Sequence, residues 1–229
     1  MTDMYSSGEY ARKQPGFHVE DAPWKARHIR AMLEKHGLHP ARVVDIGCGA
    51  GAILKELQAA LSSDTVFEGY DIAPEGIGLA RQHENERLHF FCDDIAAIPD
   101  GGFDLVLCID VFEHIEDYLG FLRILRDKGT YKLFHIPLDM TVLSVLRNSQ
   151  AYTRRQVGHL HYFSPDTAML TLQHTGYEII DWTFTPARID QTTTRTARLL
   201  KIPRRLAFSV NQWMTARILG GYSMLVLTR

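Results

Sequence analysis

Apolar positions recur along most of the chain at two alternating periods. Ahead of residue 40, W-K-A-R-H-I-R-A-M-L-E-K-H-G sets Ile29, Met32 and Leu33 at helical intervals and stops on Gly37, a residue that readily turns a chain out of a helix. Ala41 to Ile46 then reads as a buried strand. It is followed by a helix over 53–61, strand T-V-F-E-G-Y-D, a helix around Gly76 to His83 and strand L-H-F-F-C-D-D. F-D-L-V-L-C-I-D, a helix over Tyr118 to Arg126 and strand Y-K-L-F-H-I-P continue the series. Parallel strands need crossover connections of about a dozen residues or more, usually helical, so this alternation predicts a mostly parallel sheet with helices on both faces.

Beyond Pro137 the pattern changes. A helix near Met140 to Arg147 precedes a polar stretch carrying Arg154 and Arg155, then G-H-L-H-Y-F-S-P-D. Ser164 or Asp166 caps a helix over Thr167 to His174, which stops at Gly176 before strand Y-E-I-I-D-W-T-F. Y-S-M-L-V-L-T-R closes the chain as a strand, forming a hairpin-like pair with its predecessor across a basic interruption. Four segments follow: a lid and helix region over 1–39, a core over 40–186, a basic helical insertion over 187–221 and a final core strand over 222–229.

A length of 229 residues with 45% hydrophobic content suits one sizeable α/β domain. The N-terminus carries neither a basic stretch nor an apolar leader, and no window approaches a membrane span, which places the protein in the cytoplasm. Three cysteines, Cys48, Cys92 and Cys108, show no C-x-x-C spacing and read as reduced, mostly buried thiols. The net charge of −2 is unevenly spread. From Gln191 onward there is no Asp or Glu, while Arg195, Arg198, Lys201, Arg204, Arg205, Arg217 and Arg229 give +7, against −9 before them.

The chemistry starts at V-V-D-I-G-C-G-A-G, residues 43–51. A dinucleotide turn reads G-x-G-x-x-G and offers backbone N–H groups to a pyrophosphate, whereas here the glycines are Gly47, Gly49 and Gly51, with Asp45 two residues ahead. A carboxylate there repels a phosphate and favours a cationic ligand. S-adenosylmethionine has a sulfonium, an ammonium and no phosphate, and needs the close backbone approach that glycines permit. Asp71 ends the second strand where an acid accepts both ribose hydroxyl hydrogens, a device that dinucleotide sites share. After the third strand, Asp94 is placed to take the adenine amino group with the Ile95 backbone beside it; Asp93 reads as its solvated neighbour.

This succession resembles the class I S-adenosylmethionine-dependent methyltransferases over about residues 40 to 185. V-V-D-I-G-C-G-A-G, E-G-Y-D-I, D-D-I-A-A-I-P and F-D-L-V-L-C-I-D-V-F-E-H match four of their motifs in order. The resemblance implies a Rossmann-like three-layer sandwich with a seven-stranded, mostly parallel sheet and an antiparallel last strand. It implies S-adenosylmethionine as methyl donor and S-adenosylhomocysteine as product. Carried over by position, Asp45, Gly47 and Gly49 line the methionine moiety, Asp71 the ribose, and Asp94 with Ile95 the adenine, while Asp110 and Val111 flank the sulfonium. Cys48 and Ile72 are counted with the same shell, packing being the alternative for Cys48; Gly51 serves helix packing.

The fourth strand runs into D110-V-F-E-H rather than the Asn- or Asp-Pro-Pro-aromatic run of nucleobase methyltransferases, and the double-glutamate loop of arginine methyltransferases is absent. A small-molecule acceptor is expected, and no nucleic acid. Linear spacing offers no divalent-metal ligand set, so no metal is expected. For a hydroxyl acceptor a histidine base is useful, and His114, His159 and His161 are candidates, with His135 and Asp139 at the end of strand five. Structural roles compete for each of them.

Two flanking segments, F-H-V-E-D-A-P-W-K and G-H-L-H-Y-F-S-P-D, resemble a bacterial branch often associated with polysaccharide or glycolipid biosynthesis, which implies a sugar or glycolipid hydroxyl as acceptor. A quinone or secondary-metabolite acceptor, or a cofactor-binding domain without catalysis, are the alternatives. Tyr5, Tyr10, His18 and Lys25 are placed as a lid, with Lys25 meeting the methionine carboxylate. Residues 206–219 put Leu206, Val210, Trp213, Ile218 and Leu219 near one helical face. The basic segment reads as an acceptor-site cap, a peripheral contact with anionic lipid through 195–205, or a salt-bridged face on the acidic core. The protein is expected to be a monomer or homodimer.

Overall fold

The computed structural model describes residues 8–186 and 201–229. Tyr5, Arg195, Arg198 and the Lys201 side chain lie outside the described residues. A short helix α1 (Glu9–Lys13) and helix α2 (Ala22–Lys35) precede the alternating series β1 (Arg42–Ile46), α3 (Ala52–Ala60), β2 (Val66–Asp71), α4 (Pro74–Ala80), β3 (Leu88–Cys92), β4 (Phe103–Ile109), α5 (Tyr118–Arg126) and β5 (Gly129–Pro137). Then come α6 (Val142–Leu146), α7 (Ser149–Val157), α8 (Pro165–His174), β6 (Ile179–Thr185), α9 (Lys201–Val210), α10 (Gln212–Leu219) and β7 (Ser223–Thr228).

The seven strands form one sheet in the order β3-β2-β1-β4-β5-β7-β6. The first five are parallel, and β7 runs antiparallel to both β5 and β6, the sheet expected from the sequence. Alternation along the strands feeds two cores. Val44 and Ile46 of β1 share one cluster with Phe121, Leu122 and Leu125 of α5, Leu172 of α8 and Ala216 of α10. Val43 shares the other with Ile29, Met32 and Leu33 of α2, Leu54 and Leu57 of α3 and Ile77 of α4. Helices on each face of the sheet give the three layers.

Strand order places the functional ends. The chain winds from β1 toward β3 on one side and from β4 onward on the other, so the loops after β1 and β4 diverge and leave a crevice at the carboxyl ends of the strands. Gly51, in the left-handed region with φ 72°, caps α3; a Cβ there would strike the Phe90 ring of β3. The third glycine of the turn thus lets α3 lie close on the sheet, the packing role expected for it.

Two readings of the polar and C-terminal segments differ from the structure. The stretch around Arg154 and Arg155 is helix α7, bounded by left-handed residues Asn148 and Gly158. It buries no residue, so it carries no apolar period that could announce it. Residues 206–219 are two helices: Asn211 breaks the run and caps the second, its side chain accepting from Met214 N at 2.9 Å. The break separates Trp213, which packs on Trp182 and Phe184 of β6, from Leu206 and Val210, which face solvent. Cys92 is exposed, while Cys48 and Cys108 are buried.

Ser164, not Asp166, caps α8, with Thr167 returning the bond in a capping box. Asp166 is instead gripped by Arg217 at 2.8 and 2.5 Å, a two-pronged pair that seats α10 on α8. Among the described residues no helix is long and apolar enough to cross a membrane. Gly51→Ala combines left-handed strain with overpacking against Phe90 and is expected to cost about 2–4 kcal/mol in urea denaturation. Adding Phe90→Leu should recover only the steric part.

Candidate active site

The carboxyl ends of β1 to β4 open into a cavity of about 570 Å³. Gly47 leaves β1 at φ 77°, and its amide and that of Cys48 both donate to Tyr70 O, at 2.8 and 3.1 Å. A Cβ on Gly47 would come within 2.6 Å of Val111 Cγ2, so only glycine lets the first turn pass the loop after β4. Gly47, Cys48 and Gly49 line the cavity with Asp71, Ile72, Asp94, Ile95, Asp110, Val111 and Lys25. Asp45 stands behind them, 1% exposed.

Each acid has its own environment. Asp45 is shut from water and its Oδ1 has no hydrogen-bond partner; burial, reinforced by nearby Asp71 and partly offset by Lys25, pushes its carboxyl up from 3.8 to about 8. Asp71 accepts from the Gly49 and Ala73 amides, both at 2.8 Å, and burial nonetheless raises its carboxyl. Asp94 accepts from Ala96 N at 2.9 Å, and Asp93 from Asp94 N at 2.9 Å. Asp93 also lines the cavity.

Asp110 is the node of a buried network. It is held at φ 58°, unusual for a residue with a side chain, and touches Lys25 Nζ at 2.7 Å and His135 Nδ1 at 2.6 Å. His135 Nε2 lies 2.9 Å from Thr185 Oγ1. Burial opposes ionisation of Asp110, but His135 and Lys25 outweigh it and hold the carboxyl well below its ordinary range. Burial likewise disfavours the Lys25 ammonium, and Asp110 outweighs it to raise its pKa. Lys25 is therefore engaged by a strand-end acid, where the sequence suggested a partner in the cofactor. His135, with both nitrogens engaged and 3% exposure, is a strut within the sheet.

Tyr10 and His18, expected as lid residues, line the cavity from the N-terminal segment together with Phe17. Phe17 lies against the Gly49 turn, stacks at a tilt on Tyr10 with 5.5 Å between ring centroids, and has positive φ, as does His18. Burial pushes the Tyr10 phenol up to about 12.

Opposite the glycine turn, the candidate bases part company. His114 and His159 line the cavity with ring centroids 4.7 Å apart, and Asp139 Oδ2 meets His159 Nδ1 at 2.7 Å. Burial, then His159, pushes the His114 imidazole down to about 3. His161 is not among the lining residues: its Nε2 is spent on Ile115 O at 2.9 Å and its ring lies 4.4 Å from Tyr118. Two residues of a strand share a face, but 159–161 is not a strand, and so the pair diverges.

Glu113 was missed by sequence reasoning. It is 0% exposed and neither carboxylate oxygen has a hydrogen-bond partner; burial, then Asp110, pushes its carboxyl well up. Its signal was only its place between Phe112 and His114. Glu113, His114 and His159 bring one ligand atom each within 4.8 Å of one another, a grouping that linear spacing hid when it offered no metal set.

Residues 18–181 match the family model described as a methyltransferase domain. The chain belongs to the class I S-adenosylmethionine-dependent methyltransferases. Within that family it is similar to a ubiquinone biosynthesis O-methyltransferase of Xanthomonas axonopodis pv. citri, 35% identical over 130 residues covering 52% of this chain and 51% of that protein. A protein of the same description from Xanthomonas campestris pv. campestris is 37% identical over 138 residues, covering 53% and 55%. The methyltransferase thus spans about half the length of the curated relatives it matches. The crystal structure of magnesium protoporphyrin IX methyltransferase from Synechocystis PCC 6803 with bound S-adenosylhomocysteine shares the fold, with TM-score 0.62, 20% identity, and 99% and 96% of the two chains covered. An Archaeoglobus fulgidus methyltransferase does so at TM-score 0.57, 18% identity, and 89% and 93% coverage.

The glycine cradle that a Cβ would fill and the orphaned Asp45 oxygen fit the family's cofactor, which is cationic at its methionine end. The Asp45 shift sets a pH dependence in the ligand-free methyltransferase. In the unfolded chain this carboxyl ionises near 3.8, while the folded chain holds its proton until about 8, so its ionisation weakens the fold as pH rises between these values. Lys25 softens the effect and Asp71 opposes the charge. Asp45→Asn removes the slope, about 1.4 kcal/mol per pH unit at most. Thermal melts at pH 5 and pH 8 should show the variant's advantage growing with pH; an unchanged offset would contradict this.

Proposed function

We propose that the chain transfers a methyl group from S-adenosylmethionine to a hydroxyl oxygen of a small acceptor. The reading is carried by one observation: the glycine turn with its strand-end acids and the His114–His159 pair meet in a single cavity. The donor supplies an activated methyl on a sulfonium. The chain's task is then to align the acceptor, exclude water and manage one proton.

Asp71 offers its carboxylate to the ribose hydroxyls, and Asp94 with the Ile95 backbone fits the adenine edge. Asp45 and the Gly47–Gly49 backbone fit the methionine end, while Asp110 and Val111 stand where the sulfonium would lie. Lys25 and Tyr10 close the N-terminal segment over the same space. On the acceptor side the hydroxyl faces His114 and His159, and Asp139 fixes the orientation of the His159 ring through Nδ1. Sulfonium-to-oxygen transfer breaks the S–CH3 bond and forms O–CH3, and the hydroxyl proton leaves along this polar wall.

We favour a phenolic hydroxyl over the sugar hydroxyl that the flanking segments suggested. Beside the histidines the cavity carries apolar lining from Ile115, Phe121 and Val157, which suits a planar ring better than a polyhydroxylated sugar. Similarity to the ubiquinone biosynthesis O-methyltransferases of Xanthomonas supports an acceptor of this kind.

Radiolabelled methyl transfer to a panel of dihydroxylated phenols and nucleotide sugars tests the reading. Labelled phenol ethers are expected; labelling of sugars alone, or of nothing, would overturn it. With an accepted phenol, Asp139→Asn should lower kcat by about 100-fold with little change in the donor KM. Loss confined to the donor KM would place Asp139 elsewhere in the mechanism.

A further inference from the structure

We propose that Glu113, His114 and His159 form a binding site for one divalent transition-metal cation. A carboxylate with no exposed surface and no hydrogen bond to either oxygen is strongly unfavourable unless something positive meets it. The nearest imidazole atom, His114 Nε2, stands 3.9 Å from Oε1, too far for a hydrogen bond. A cation between the carboxylate and the two imidazoles gives Glu113 the positive partner that both its oxygens lack.

The geometry is close to what such an ion requires. The three ligand atoms lie within 4.8 Å of one another, and a tetrahedral zinc shell sets them roughly 3.3 Å apart, so side-chain adjustments of under about 1 Å close the site. His159 is already oriented in the manner of metal-bound histidines: Asp139 takes its Nδ1 hydrogen at 2.7 Å and leaves Nε2 as a lone-pair donor. The two segments that carry the ligands are also locked together. Glu113 O accepts from the amides of Leu160 and His161 at 2.8 and 3.0 Å, and the His161 ring bonds Ile115 O. His161, a candidate base by sequence, thereby acts as a tether that fixes the separation of the ligands.

Two imidazoles and one carboxylate suit zinc, manganese, iron or cobalt better than calcium or magnesium, which favour all-oxygen shells. Three protein ligands leave coordination positions open. His114 and His159 face the cavity, so those positions point at the acceptor space. This part rests on the hydroxyl-acceptor reading above: an acceptor with two adjacent oxygens chelates the cation, and the coordinated hydroxyl loses its proton to solvent more readily.

The test uses the tag-free 229-residue chain stripped with chelator, without cofactor or acceptor. It is titrated with Co²⁺ while visible absorption is followed, and with Zn²⁺ in a calorimeter. One equivalent is expected to bind, with the absorption bands of mixed nitrogen and oxygen ligation. Glu113→Gln, which keeps the volume, and His159→Gln should each weaken binding at least 10-fold while far-ultraviolet circular dichroism stays that of the folded chain. Absence of stoichiometric binding by the unaltered protein, or unchanged affinity in folded Glu113→Gln, would overturn the site. Because the readout needs no turnover, methyl transfer by a protein that binds no cation would sink this inference alone. Cation binding by a protein that methylates no hydroxyl would sink only the functional reading.

Discussion

The contact on which the site depends most is the partly buried charge at Asp110. A carboxylate taken out of water at the end of β4 is costly, and it is retained because Lys25 and His135 meet its two oxygens at 2.7 and 2.6 Å. Those partners belong to different layers. Lys25 comes from α2, ahead of the sheet in sequence, and His135 from β5, itself braced by Thr185 of β6. One acid therefore binds the N-terminal segment, the β4 loop and the far half of the sheet into a single frame. It also fixes the backbone of Asp110 in a left-handed conformation from which Val111, Phe112, Glu113 and His114 project. The position of the acceptor wall follows from that turn.

The cofactor side is organised by the opposite device, absence of side chains. Gly47 can pass Val111 only without a Cβ, and Gly51 can lie on Phe90 only for the same reason. Asp45 is left buried with Oδ1 unpartnered, and burial raises its carboxyl, so a cation nearby favours its charge. A rigid cradle and a poised charge suit a ligand that brings its own positive charge, and they explain why family membership and local electrostatics agree.

Much of this was legible in the sequence. The periods of apolar residues locate all seven strands, and the glycine turn with Asp71 and Asp94 marks the cofactor wall, because those signals are local: a strand needs its own alternation and a turn its own glycines. What was not legible depends on distance. Glu113 and His159 are remote in sequence, and only the tether of Leu160 and His161 to Glu113 O brings them together. Lys25 meets Asp110 rather than standing free because α2 folds across the sheet ends. Helix α7 hid for a different reason: it is polar all round, and periodicity has nothing to report about a helix that buries no face.

The central claim is that the space over the Gly47 turn receives S-adenosylmethionine, and calorimetric titration with its product addresses it most directly. The account predicts that S-adenosylhomocysteine binds one-to-one to the purified chain, that NADH does not, and that Gly47→Val abolishes the binding in a protein that remains folded. Preferential binding of NADH, or undiminished binding of S-adenosylhomocysteine by folded Gly47→Val, would contradict it.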